Sequence, residues 1–203
     1  MPSRINIGHY IEGKMNSDAT ENYLKAIFEL EAVYGKAKTS PLAQKLGVTA
    51  GSVTDMLKRL SAKETGLVHY KSHQGARLTA KGKKIALDVI RRHRLVETFL
   101  HRVLGLSWAD VHQEAEILEH HVSSRVIDAI DRVLDYPRFD PHGESIPQSG
   151  GDLPTTAQKQ LADVEVGATV RIVRVKPSSD DFLRYLDFLG IGIDTIGTVL
   201  EKA

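Results

Sequence analysis

The chain has 203 residues, 41% of them hydrophobic, which is enough for a core and one or two domains and excludes a disordered tail. It contains no cysteine, so disulfide frameworks, thiolate metal sites and cysteine nucleophiles are excluded, and any metal must be held by imidazole and oxygen ligands. The net charge of +1 hides a division: residues 1–104 carry 18 Lys and Arg against 9 Asp and Glu, residues 105–203 carry 9 against 17, and the basic first half is what a phosphate-binding surface requires.

No apolar run approaches the length of a membrane span, and residues 1–16 lack a signal-peptide core, so the sequence predicts a cytosolic protein with no membrane partner. Residues 18–34 place Tyr23, Leu24, Ile27, Phe28 and Leu30 at helical spacing behind an Asp18 or Thr20 cap, and Gly35 ends that helix. A short helix is predicted from Ser40 and Pro41 through Leu42 and Leu46 to Gly47, with the serine as its cap. Thr49 stands where it can cap a third helix whose apolar stripe is Val53, Met56, Leu57 and Leu60. Helix, Leu-Gly-Val turn and helix together have helix-turn-helix shape. Leu67–Tyr70 and Ala76–Leu78 read as two short strands around a turn containing Gly75, a wing.

Thr79 is predicted to cap a long helix to about Leu104, and a second is predicted to run unbroken from about Asp110 to Leu134. From Tyr136 to Pro154, Pro137, Pro141, Pro147, Gly143, Gly150 and Gly151 predict a loop and linker. Beyond it the pattern predicts a short helix over Thr155–Ala162, a strand over Ala168–Lys176, a helix over Phe182–Leu189 and a strand over Ile196–Leu200. About forty residues make a thin core. This segment is expected either to lean on the rest of the protein or to be part of a larger β domain.

Two constellations carry chemistry. The first turn of the third helix offers Thr49, Ser52, Thr54 and Asp55, short polar side chains suited to base edges and phosphates in a major groove, although such residues also cap helices. Lys58 and Arg59, with Lys71 and Arg77 on the wing, would hold the phosphate backbone. The second constellation is histidine and carboxylate: six of nine histidines lie between His93 and His142. Glu116, Glu119 and His120 stand at i, i+3 and i+4, His112 lies one turn earlier, and His93 and Glu97 repeat the i, i+4 relation on the preceding helix. Such nitrogen and oxygen donors without sulfur suit Mn(II) or Fe(II). A DPHG segment adds Asp140 and His142 on a loop. His9, His69, His73 and His101 have no partners by spacing and read as ordinary surface or core residues.

On TENYLKAIFEL (20–30), LAQKLGVTAGSVTDMLKRL (42–60), RRHRLVETFL (91–100) and VHQEAEILEHHVS (111–123), the chain resembles the diphtheria toxin repressor and manganese transport regulator family of metal-dependent repressors. The likeness covers roughly residues 18–150. It implies a mainly α protein: a winged helix-turn-helix domain over 1–79, a helical metal-binding and dimerisation domain over 80–150, and over 151–203 a linker and part of an SH3-like, FeoA-like β domain.

The resemblance further implies a primary metal site of Asn22, Glu116, Glu119 and His120. It implies an ancillary site of His93, Glu97 and His112, joined by Asp140, His142 and an acid from the C-terminal segment, Asp180 or Asp181. Thr49, Ser52, Thr54 and Asp55 match the family's DNA-reading positions. Asn22 offers a neutral amide where the family usually has Asp or Met, and Glu116 matches the manganese-type members rather than the Cys of the iron-type ones. Lys25 replaces a carboxylate of a paired two-manganese site, which implies two separated sites per subunit.

The function so implied is that of a non-enzymatic homodimer that binds a palindromic double-stranded operator when loaded with Mn(II) or Fe(II) and represses metal-uptake genes. Two rival readings remain at this point. One is a metal-independent winged-helix regulator responding to an organic ligand. The other is a metalloenzyme with the same ligands, against which stand the lack of an HExxH motif and the unexplained basic winged helix.

Overall fold

A computed structural model of the protein describes residues 18–153, 159–176 and 179–202. By packing, the chain divides into two compact units, Met1–Val89 and Ile90–Ala203. No helix among the described residues is long and apolar enough to cross a membrane.

In the first unit, helix α1 (Asp18–Tyr34) turns Tyr23, Leu24, Ala26 and Ile27 inward, as its apolar spacing requires. Helix α2 (Thr39–Leu46) begins one residue before the predicted serine cap. Its N-cap is Lys38, with no side-chain hydrogen bond, and it ends on Gly47, whose left-handed backbone (φ 64) lets its N–H return to the carbonyls of Ala43 and Gln44. Helix α3 (Ala50–Ser61) is capped by Thr49, which accepts from the Ser52 N–H, and buries Val53, Leu57 and Leu60. Strands β1 (Val68–Lys71) and β2 (Gly75–Leu78) pair antiparallel, with Val68 opposite Leu78 and His69 opposite Arg77. Ala37 adds a bridge to Ala76, and Leu78 N–H donates to Glu31 of α1, which fixes the wing to the helices.

Thr79 caps helix α4 (Ala80–Arg102) by accepting from Gly82 N–H at 3.1 Å. The division by packing falls inside this helix because Ala86 belongs to the first core whereas Leu95, Val96 and Leu100 belong to the second. In the second unit the predicted helix from Asp110 to Leu134 is two helices, α5 (Val111–Leu118) and α6 (Ser124–Val133). The Leu118 carbonyl accepts from both His121 and Val122, closing a turn, and Ser123 then accepts from Val126 N–H to start α6.

The expected linker is also not one over its first half. Pro137, Asp140–Gly143, Ile146 and Pro147 are buried. Arg91 donates to the Pro147 carbonyl at 2.8 Å and Arg94 to that of Ser145, so side chains from α4 give these two loop carbonyls partners within the protein.

In the C-terminal segment, β3 (Thr169–Arg171) is shorter than predicted. It pairs antiparallel with β4 (Ile196–Thr198), and α7 (Asp180–Phe188) lies between them in sequence. Of the helix predicted over Thr155–Ala162, residues 155–158 lie outside the described residues and the remainder forms only a 3-10 turn at Leu161–Asp163. Val175, Leu183 and Leu186 share a core with Trp108 and Ala109, so the segment does lean on the helical region.

Candidate metal centre and nucleic-acid interface

The first turn of α3 presents the predicted DNA-reading residues, but they are partly engaged with their own helix. Thr49 Oγ1 accepts from Ser52 N–H at 3.1 Å and lies 2.9 Å from Ser52 Oγ. Thr54 Oγ1 donates to the Ala50 carbonyl, and Asp55 pairs with Lys58 at 3.8 Å. A hydroxyl keeps further donor or acceptor capacity after one bond, so capping and reading are compatible. Thr49, Ser52, Asp55, Lys58 and Arg59 are exposed.

On the wing, the alternation of β1 and β2 puts His69, Lys71 and Arg77 together on the exposed face, with Val68, Tyr70, Ala76 and Leu78 turned to the other. Lys36 lines the same cleft of about 510 Å³. His69 and Lys36 thus join Lys71 and Arg77, the wing residues that the sequence nominates for the phosphate backbone. The period of two in Val-His-Tyr-Lys already puts His69 beside Lys71.

In the second unit α4 and α5 bring the histidines and carboxylates into one connected cluster. His93, buried, has Nδ1 2.5 Å from Glu119 Oε2 and 3.8 Å from Glu116 Oε1, and Nε2 2.9 Å from Glu97 Oε1. His112 Nδ1 lies 3.0 Å from the same Glu97 oxygen and 3.2 Å from His93 Nε2. His120 Nε2 stands 3.4 Å from Glu119 Oε1. Glu119 is fully buried and Glu97 is 2% exposed, whereas the side chains of Glu116 and His112 are 38% and 53% exposed, which opens the cluster to water on one side. The two ligand sets implied by the resemblance therefore meet at His93, a member of the second set whose Nδ1 faces Glu119 and Glu116 of the first.

Beyond Glu97, His142 Nδ1 lies 4.0 Å from Glu97 Oε2, and the donor atoms of Glu97, Asp140 and His142 lie within 4.8 Å of one another. Asp140 also holds its own turn: Oδ1 accepts from the N–H groups of His142 and Glu144 at 2.8 and 2.9 Å, and Arg94 Nε lies 3.6 Å from Oδ2. Asp181 does not join this group, because its carboxylate is on the surface, paired with Arg184 at 3.3 Å. The side chain of Asp180 lies outside the described residues.

The electrostatics follow from burial. Burial alone would raise the Glu97 carboxyl, but the charge of His93 and the hydrogen bonds from His112 and His93 outweigh it and hold it well below the usual range. Asp140 is pushed up to about 7, first by burial and then by the Glu97 charge, against Arg94 and the backbone donors. Burial lowers His142, which keeps it neutral and able to donate a lone pair.

The donor set fits a divalent ion. His93 Nε2, Glu97 Oε1 and His112 Nδ1 form a triangle with sides of 2.9, 3.0 and 3.2 Å. Adjacent donors on an octahedral ion with bonds of about 2.1 Å stand about 3 Å apart, so these three atoms have the spacing of one octahedral face. Two imidazoles and a carboxylate, with no sulfur, suit Fe(II) or Mn(II) better than a thiolate-seeking metal.

Arg91, Arg94 and Trp108 were not singled out by sequence reasoning. They became visible only once the loop over residues 136–147 was placed.

Comparison with known proteins matches the family profile for the iron dependent repressor N-terminal DNA binding domain over residues 15–76. The profile for the iron dependent repressor metal binding and dimerisation domain matches over residues 79–148, and that for the FeoA domain over residues 159–203. The chain is 32% identical to the iron-dependent repressor IdeR of Mycobacterium leprae (strain TN) over 163 residues, covering 77% of this chain and 70% of that protein. It is 35% identical to the HTH-type transcriptional regulator MntR of Bacillus subtilis (strain 168) over 122 residues, 60% of this chain and 84% of that one. Among solved structures it is similar to a manganese-dependent transcriptional repressor in complex with manganese, with a TM-score of 0.81 and 38% identity over 91% of this chain and 84% of the other. The chain belongs to the diphtheria toxin repressor and manganese transport regulator family of metal-dependent transcriptional repressors.

Proposed function

We propose that the protein is a homodimeric transcriptional regulator of the cytoplasm that binds a palindromic operator when Mn(II) or Fe(II) fills two sites per subunit, repressing metal-uptake genes under metal-replete conditions. The observation that carries this reading is the triangle of His93, Glu97 and His112 donors with octahedral spacing, continued through His93 to the buried Glu119. Glu116, Glu119 and His120 are the proposed activating ligands, and His93, Glu97 and His112, with His142 and Asp140 behind them, the second group. Glu116 in place of a thiolate favours manganese. The ion's role is to couple sites rather than to turn over a substrate. Exposed Leu104, Ile117, Val126 and Val133 on the second unit support an association surface, since large apolar side chains gain from being covered.

Free Mn(II) has an EPR signal that protein-bound ion loses, so titration of the purified protein counts the sites directly. Two ions per subunit are expected, and a protein that leaves all the added Mn(II) free contradicts the reading. Asn22 is assigned to the activating set by the family resemblance alone, and Asn22→Asp tests it. A carboxylate in place of an amide should tighten binding of the hard ion, and unchanged affinity removes Asn22 from the set.

On the DNA side, Lys58→Ala or Arg59→Ala should lower the slope of log affinity against log salt by about 0.9 for each phosphate no longer neutralised, equally on specific and unrelated sequences. A salt titration of duplex binding reads this, and an unaltered slope takes the residue out of the interface.

A further inference from the structure

We infer that Trp108 is the positioning residue of the second metal group: it fixes His142 with Nδ1 toward Glu97, and through the same turn it ties occupancy of that group to the seating of the C-terminal segment. The inference rests on the metal-binding reading above and goes beyond its ligand list.

Trp108 is the chain's one tryptophan and is 5% exposed. Its ring stacks on that of His142, with centroids 5.4 Å apart and planes 9° from parallel. Its Nε1–H donates to the Pro141 carbonyl at 3.0 Å, which pins the residue before His142. Its own carbonyl oxygen lies 3.4 Å from His142 Nε2. An imidazole that donates Nε2–H to a carbonyl carries its lone pair on Nδ1, and His142 Nδ1 is the atom that faces Glu97 Oε2 at 4.0 Å. Stack, pin and acceptor all come from one residue and act on one ring.

The other side of the same turn is held by the C-terminal segment. Val175 N–H donates to the His142 carbonyl at 2.9 Å. Gly143 has φ +82, and a Cβ there would lie 2.1 Å from the Val173 carbonyl oxygen, so the two backbones meet where only glycine fits. Trp108 packs in one apolar cluster with Val175, Leu183 and Leu186. An ion that draws the His142 ring into a fixed position therefore also steadies the carbonyl on which Val175 hangs.

The test compares wild type, Trp108→Leu and Trp108→Phe by Mn(II) titration, with amide exchange at Val175 read alongside. In Trp108→Leu the second equivalent of Mn(II) should bind about 10–100-fold more weakly while the first is unchanged, the usual range for a group that supports a ligand from behind. Trp108→Phe keeps the stack and should recover most of the loss. Mn(II) should slow exchange of the Val175 amide in wild type and not in Trp108→Leu. Should the leucine variant fail to fold, fluorescence of Trp108 in otherwise unaltered protein decides: quenching by Co(II) at the second equivalent should be lost in His142→Ala. Wild-type affinity for both equivalents in Trp108→Leu, or undiminished quenching in His142→Ala, overturns the inference and leaves the proposed function standing. A wild-type protein that takes up neither ion overturns both.

Discussion

In a Glu119→Gln variant, Mn(II) is expected to leave DNA affinity where it stood without the ion. Glu119 is fully buried, with one oxygen 2.5 Å from His93 Nδ1 and the other 3.4 Å from His120 Nε2. Glutamine has the same shape, so no cavity opens and the packing of α5 against α4 persists. What disappears is one negative charge that the ion needs and one oxygen donor, replaced by an amide nitrogen that cannot ligate. Coupling between an effector site and a binding site is typically worth about 1–3 kcal/mol, so roughly a 5–150-fold gain in operator affinity on adding Mn(II) should vanish. Fluorescence anisotropy of a labelled duplex with and without Mn(II) measures it. A full metal response in Glu119→Gln excludes Glu119 as a ligand and favours a regulator that answers to another effector.

Arg91→Ala should be among the most destabilising single changes in the second unit. Arg91 and Asp131 are 7% and 8% exposed and pair at 2.5 Å, while a second guanidinium nitrogen donates to the Pro147 carbonyl. Removing the arginine leaves a carboxylate buried without its counter-charge, which costs about 3–5 kcal/mol, and strips the loop of a backbone partner. The urea midpoint of the second unit should fall accordingly. The double variant Arg91→Met, Asp131→Leu should recover most of the loss, because replacing both members of a buried pair by apolar residues of similar size is often neutral. A loss below about 1 kcal/mol in Arg91→Ala would mean that water reaches Asp131.

The winged helix was legible because its signals are local. Apolar spacing in α1 and α3, the Thr49 and Thr79 caps and the alternation in the wing each need only a few neighbouring residues, and each was found in place. The break between α5 and α6 escaped because the apolar period continues through it, while the Ser123 cap that restarts the helix lies within an otherwise helical pattern.

The histidines and carboxylates of the cluster stand out in the sequence as i, i+3 and i+4 sets, but their junction at His93 does not, because it depends on how α4 lies against α5. The loop over residues 136–147 was read as linker from its prolines and glycines. It is buried, and two arginines from α4, distant in sequence, give the carbonyls of Ser145 and Pro147 their partners there. In the sequence those arginines belong to the RRHRLVETFL segment, and nothing local ties them to a loop some fifty residues away.

Occupancy of the histidine and carboxylate cluster is proposed to control DNA binding. The measurement that tests this most directly is titration of one preparation against its operator in Mn(II), with chelator added at the end. Tight binding is predicted only with the ion, reversed by the chelator and absent in Glu119→Gln. Equal operator affinity with Mn(II), with Fe(II) and with chelator would contradict it.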